Sequence, residues 1–236
     1  MRRNKNFTLV ELLAVIAIVS LLTFIALPSF TKMLKGHGAE LAGRTLTTKL
    51  NMSRSYAISK RKYVALLMPQ VGNPSGANIP SKYLNCSYRT CIVEKNNTDN
   101  KYYFHSWIPG EAWEFLPTGT AILEVDEDNG VNLSGTQLAP ANGTITTVSP
   151  APLPGTSPNR GVNCTDIGGS SSVTNFAAVI FKPTGGLADG GSKYIEIGEA
   201  IYSPGTLSLI LTNKGNLSYV SVSIDNNTGR ICFENR

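Results

Sequence analysis

The sequence predicts an α+β protein: a long N-terminal transmembrane helix packed on an antiparallel β-sheet head. Three observations predict it. Phe7–Leu27 is a run of 21 residues in which only Thr8, Glu11, Ser20 and Thr23 are polar. Residues 29–62 then keep apolar side chains at three- and four-residue steps, the period of a helix. From Tyr63 onward the apolar stretches shorten and alternate with Gly, Pro and Asn, as strands and turns do.

The first helix, residues 7–28, is about 30 Å long at ~1.5 Å per residue, the thickness of a bilayer core. Arg2, Arg3 and Lys5 precede it as a short basic leader, residues 1–6, which is expected to stay cytoplasmic. Pro28 closes the apolar run. A secretory signal would have a shorter apolar core and a small-residue cleavage site, and Pro-Ser-Phe-Thr-Lys after Leu27 offers none. A plain signal anchor fits the length and the charge but leaves Glu11 unexplained. An ionisable group inside an apolar span costs a few kcal/mol and marks a functional position.

Residues 29–62 read as an amphipathic continuation of the helix. Phe30, Met33, Leu34, Leu41, Leu46, Leu50, Ala57 and Ile58 form its apolar stripe. Gly36, Gly38 and Gly43 weaken it, and one or more of them is expected to mark a bend or partial melting. Its polar face is mostly Lys and Arg. Most of these are expected to be a solvated face, with Lys32 and Lys35 placed to meet anionic lipid headgroups.

In the head, residues 63–236, strands are expected over 62–68, over 102–115 with a break at Pro109-Gly110, and over 120–125. Others are expected over 176–181, 194–197, 206–212 and 217–224, with a last short strand at the C-terminus. Residues 126–175 are rich in Asn, Gly, Thr, Ser and Pro and read as a loop-rich insertion with at most one strand, 143–148.

Charge and cysteines narrow the function. The net charge of +5 invites a nucleic-acid reading. However, residues 63–236 carry ten basic and fourteen acidic side chains, so the head is acidic. A head that gripped phosphate backbones over a broad face would have the opposite sign. Cys86, Cys91, Cys164 and Cys232 all follow the apolar helix, in an oxidising space if the head is exported. They allow three connectivities. Cys86 with Cys91 closes a small hairpin-like loop, and Cys164 with Cys232 then ties a long loop to the C-terminal strand. With only His37 and His105 in the chain and no C-x-x-C pair, zinc is not expected.

No G-x-S-x-G, H-E-x-x-H or P-loop is present, and two distant histidines do not suggest an acid–base pair, so the head reads as a non-enzymatic module without a cofactor. Asp126-Glu-Asp-Asn-Gly130 spaces Asp126 and Asp128 as calcium loops do. The twelfth position is Gln137, however, and an acidic turn in solvent is the preferred reading. Tyr102, Tyr103, Phe104, Trp107, Trp113 and Phe115 form an aromatic cluster whose alternate members are expected to supply a sheet's core face, and outward members that lie together would form an adhesive or subunit-contact patch.

Phe-Thr-Leu-Val-Glu-Leu-Leu, residues 7–13, follows a basic leader and opens an apolar helix. In this it resembles the N-terminus of type IV prepilins and type II secretion pseudopilins. The resemblance implies cleavage between Asn6 and Phe7 by prepilin peptidase, N-methylation of Phe7, and retention of the helix as the packing spine of a filament. Glu11 is then the family's acid at the fifth mature position, and Pro28 falls where many pilins carry a helix-kinking proline. One position departs from the pattern: Asn6 stands where the family has Gly. Further along, Phe181-Lys-Pro-Thr-Gly185, Asn227-Thr-Gly-Arg230 and the helix end Met52–Arg61 are similar to the GspH/FimT group of minor pilins and pseudopilins. Residues 85–175 match no part of that group.

The resemblance implies a minor subunit, priming or tip-associated, in a type IV pilus. It would first be a single-pass inner-membrane protein with its head in the periplasm. Its partners are other pilins, the inner-membrane assembly machinery, prepilin peptidase and, before assembly, the lipid bilayer. The alternatives are a type II secretion minor pseudopilin, a DNA-uptake minor pilin and a membrane-anchored periplasmic receptor. In DNA-binding FimT-like pilins the C-terminal segment carries several arginines. Arg230 and Arg236 are the counterparts here, with Glu234 between them, and Arg230 is preferred as a structural residue of its turn. In the filament, Glu11 is expected to pair with the Phe7 α-ammonium of a neighbour, each charge neutralising the other.

Overall fold

A computed structural model describes residues 9–34, 37–69, 79–95, 102–126, 162–169, 176–188, 191–203, 206–209 and 219–235. The helices are α1 (Leu9–Leu34) and α2 (His37–Lys60). The strands are β1 (Tyr63–Met68), β2 (Ser87–Lys95), β3 (Tyr102–Trp107), β4 (Glu114–Phe115) and β5 (Thr120–Asp126), then β6 (Ala177–Phe181), β7 (Lys193–Ser203), β8 (Thr206–Leu209), β9 (Tyr219–Ile224) and β10 (Ile231–Asn235). The class is α+β, helices first and antiparallel strands after. The chain divides into two compact units, Met1–His37 and Gly38–Arg236.

In the first unit, α1 is 26 residues long and its backbone runs through Pro28. Side chains are described for residues 9–24, and every one of them is exposed. Among the described residues no helix is long and apolar enough to cross a membrane. Phe7 and Thr8, the start of the expected span, lie outside the described residues.

In the second unit, α2 buries Ala39, Ala42, Leu46, Leu50, Ser53 and Ala57, a stripe at three- and four-residue steps. Glu40 and Arg44 pair one turn apart on its exposed face. The stripe is narrower than the sequence predicts, since Leu41 and Ile58 are exposed. Gly38 and Gly43 sit inside an unbroken helix, and Gly36 lies outside the described residues. The ring of Phe233 on β10 packs where a Gly43 side chain would stand, so this glycine sets how closely the strand approaches. Arg61 ends the helix in the left-handed region (φ 52°).

The head holds two antiparallel sheets where the sequence suggests one. The first has the order β3-β2-β1-β6, with β4 also on β2; the second has the order β10-β9-β7-β5, with β8 also on β7. The strand pair expected around Pro109-Gly110 forms as β3 and β4, both antiparallel to β2. β2 itself has no counterpart among the expected strands, yet it pairs with β1, β3 and β4. Residues 143–148 lie outside the described residues.

Two apolar clusters explain the arrangement. One lies between α2 and both sheets and takes Val64, Leu66 and Met68 of β1, Tyr88 and Ile92 of β2, and Val179 and Phe181 of β6. The other covers the opposite face of the first sheet and takes the alternate residues Ala65, Leu67, Cys91, Val93, Ala178 and Ile180, together with Val162 and Cys164. The central strands of that sheet are thus buried on both faces, which is why β1 and β6 read as unbroken apolar runs.

Candidate functional site

The assembly candidates begin on α1. Leu, Ile, Val and Ala dominate it, and with neither Gly nor Pro before position 28 nothing interrupts the helix. Its acid, Glu11, lies in the first turn, where the positive end of the helix dipole favours a carboxylate. The two hydroxyls farther along bond to their own helix. Ser20 Oγ donates to the Ile16 carbonyl at 2.8 Å, and Thr23 Oγ1 to the Val19 carbonyl at 2.8 Å. A hydroxyl satisfied in this way costs little in an apolar setting. Exposure reaches 76% at Leu9 and 81% at Phe24, so the apolar surface runs the length of the described helix. Asn6 and Phe7 lie outside the described residues, as does the side chain of Pro28.

In the head, the two turns singled out by sequence meet. Leu187 N–H donates to the Asn226 carbonyl at 2.8 Å, just beyond the Phe181–Gly185 segment. Arg54 of α2 clasps both turns: Nε donates to the Gly185 carbonyl at 3.1 Å and Nη2 to the Thr228 carbonyl at 2.8 Å. The turns are so close that a side chain at Gly229 (φ 64°) would collide with the Gly185 carbonyl. Asp225 closes the second turn by accepting from Thr228 Oγ1 at 2.6 Å and from Thr228 N–H at 2.8 Å, and these bonds hold its carboxyl below the usual carboxylate range. Arg230 contributes backbone, its N–H donating to Thr228 Oγ1 and its carbonyl accepting from Asp225 N–H. Its side chain is exposed, and Arg236 lies outside the described residues. The structural arginine of this corner is therefore Arg54, which sequence reasoning noticed only as part of a helix end.

A second unforeseen cluster joins α2 to the first sheet. Lys49, 5% exposed, bonds Glu114 Oε1 at 2.6 Å and also pairs with Glu111. Burial pulls the ammonium down, but the two carboxylates outweigh it, and its pKa lies above the ordinary value. Burial, reinforced by the Glu114 charge, likewise holds the neighbouring Tyr88 hydroxyl above its ordinary range. A lysine at a stripe position looks like a solvated charge until residues 111 and 114, some sixty positions away, fold over it.

The aromatic residues do not follow a strict alternation, since the adjacent Tyr102 and Tyr103 are both buried. Tyr102, Tyr103 and Trp113 are buried, while Phe115 is 48% exposed beside Tyr83, with ring centroids 5.1 Å apart. Trp107 stacks edge-on against Phe104 and Trp113.

All four cysteines are unbridged, and the pairings expected from sequence do not fit the head. Cys86 directly precedes β2 and Cys91 is its fifth residue, so extended chain separates them by more than ~13 Å, against ~4.4–6.8 Å between the Cα atoms of a disulfide. Cys164 is buried on the outer face of the first sheet. Cys232 lies on β10, between Ile231 and Phe233, which point into the other cluster, so it faces away from that core. Asp126 ends β5 opposite Tyr194, and Asp128 lies outside the described residues. Among the described residues no group of three or more His, Cys, Asp or Glu is placed to hold a metal ion.

Residues 1–27 match the family described as the prokaryotic N-terminal methylation motif. Its N-terminus is type IV prepilin-like. That motif implies processing by prepilin peptidase and assembly with other pilins, and its family is structural rather than catalytic. No curated protein and no solved structure matches the prepilin-like chain.

Proposed function

We propose that this chain is a minor type IV pilin subunit, priming or tip-associated, built into a filament through α1. Prepilin peptidase cuts between Asn6 and Phe7 and Phe7 is N-methylated. Residues 7–28 hold the protein in the inner membrane, head in the periplasm, until assembly. Residues 29–62 carry the helix toward a head formed by 63–236. The observation that carries this reading is α1: its described side chains, residues 9–24, are apolar all round and exposed, a surface that lipid or other helices would cover.

Glu11 then acts between subunits. Its carboxylate meets the Phe7 α-ammonium of a neighbour in the filament core, where either charge alone would be costly. Ala14, Ala17, Ser20 and Ala26 leave room for close helix approach. Membership of the GspH/FimT group is supported by the corner at Arg54, where the two head motifs of that group touch. The prediction is that Glu11→Val leaves the protein in the inner membrane at wild-type level and lowers its content in sheared filaments at least tenfold. Quantitative immunoblotting of both fractions checks it, and wild-type content in the filaments would sink this role for Glu11.

A further inference from the structure

Cys164 is carried by a short segment lying against β2, and three contacts fix its register. Arg89 of β2 pairs with Asp166. The Arg89 guanidinium also stands 3.9 Å above the ring of Trp107. Trp107 is the cross-strand partner of Cys91, and its Nε1 donates to the Asn163 carbonyl at 3.1 Å. Residues 163 and 166 are thereby pinned on either side of Cys164: one to the neighbour directly across from Cys91, the other to the residue two places before Cys91 on the same face. Side chains on a strand alternate, so Arg89, Cys91 and Val93 share that face. The stretch 162–166 crosses it in the opposite direction, with Asp166 over Arg89 and Val162 in the cluster that holds Val93. Cys164 therefore falls over Cys91, and both are wholly buried in that cluster.

From this juxtaposition we infer that Cys91 and Cys164 form a disulfide in the mature head, while Cys86 and Cys232 remain thiols. The bond forms by exchange with a disulfide donor, protein or small molecule. One cysteine thiolate attacks the donor and gives a mixed disulfide, releasing one donor thiol. The second cysteine thiolate then displaces the other donor sulfur. Two protein thiols are oxidised by two electrons and the donor disulfide is reduced to a dithiol. Burial pushes the Cys164 thiol up to about 12 and raises Cys91 as well, so neither thiolate is available once the head is closed. Exchange therefore belongs to folding, before 162–166 settles on the sheet. The bridge staples the far end of the loop-rich insertion to the centre of the first sheet.

The pairing rests on the head alone and not on filament assembly, so the two fail separately. The test takes the full chain in detergent, unfolds and reduces it, refolds it against oxidised glutathione, alkylates free thiols, digests, and maps the peptides by mass spectrometry. The expected result is one linked pair joining the Cys91 and Cys164 peptides, lighter by two hydrogens, with alkylated Cys86 and Cys232. Adding dithiothreitol to the refolded protein should lower its Tm by about 5–10 °C. Alkylation at all four positions, or linkage of Cys86 to Cys91 or of Cys164 to Cys232, overturns the proposal.

Discussion

The two helices are nearly equal in length, 26 residues for α1 and 24 for α2, yet they dispose of their apolar residues in opposite ways. α2 concentrates them on one stripe and buries that stripe against two sheets. α1 spreads them around its whole circumference and leaves all those described exposed. One helix finds its packing within the head, and the described part of the other presents an apolar surface. The difference separates folding from assembly: stability should depend on α2 and its contacts, and incorporation into a larger structure on α1.

The sharpest way to break that division is to remove the same side chain from each helix. Leu50→Ala in α2 should cost the head about 3 kcal/mol, through lost burial and the cavity left behind. Leu13→Ala in α1 should leave the denaturation midpoint of the head unchanged. Chemical denaturation followed by Trp107 and Trp113 fluorescence compares the two, and equal losses would abolish the distinction.

A smaller effect is expected from Lys49→Met, which leaves the Glu111 and Glu114 carboxylates facing an apolar side chain. Both keep some contact with water, so the cost should be about 1–3 kcal/mol. The pH dependence follows from the direction of the lysine's shift. Its folded pKa is raised, so its stabilisation is fully present below the ordinary value of 10.5 and is lost as pH rises through the folded value. Wild type should lose stability above about pH 10.5, and the variant should lose less; parallel curves would argue against a structural ion pair. A smaller effect again, about 1–2 kcal/mol, is expected from Arg54→Ala, which removes two bonds to backbone carbonyls at the corner of the head. Arg230→Ala should change the midpoint by less than about 0.5 kcal/mol.

What could be read from sequence follows from where the information lies. The N-terminal motif is legible because its chemistry is carried by side-chain identity over a few consecutive residues. Most strands are legible because their ends are marked by Gly, Pro and Asn. β2 escaped because it carries Arg89 and Cys91 on the face where a simple alternation expects exposure, and because two cysteines five apart suggested a loop. The number of sheets, the clasp at Arg54 and the partners of Lys49 all depend on which distant segments meet, and spacing along the chain does not encode that. The cysteines show the same limit: three connectivities are equivalent in sequence, and only the register of 162–166 across β2 separates them.

The hydroxyls of Ser20 and Thr23 carry a consequence for movement. Each is bonded to a carbonyl one turn back in its own helix, so neither holds the helix to anything outside it. In a subunit that left lipid for protein neighbours, the donors of these two hydroxyls would already be used within the helix. Their donors would then add little resistance to rotation about the helix axis or to sliding along it. Orientation in a filament would then be fixed near one end, at Glu11, while the remaining length behaves as a smooth rod that can turn until shape alone stops it.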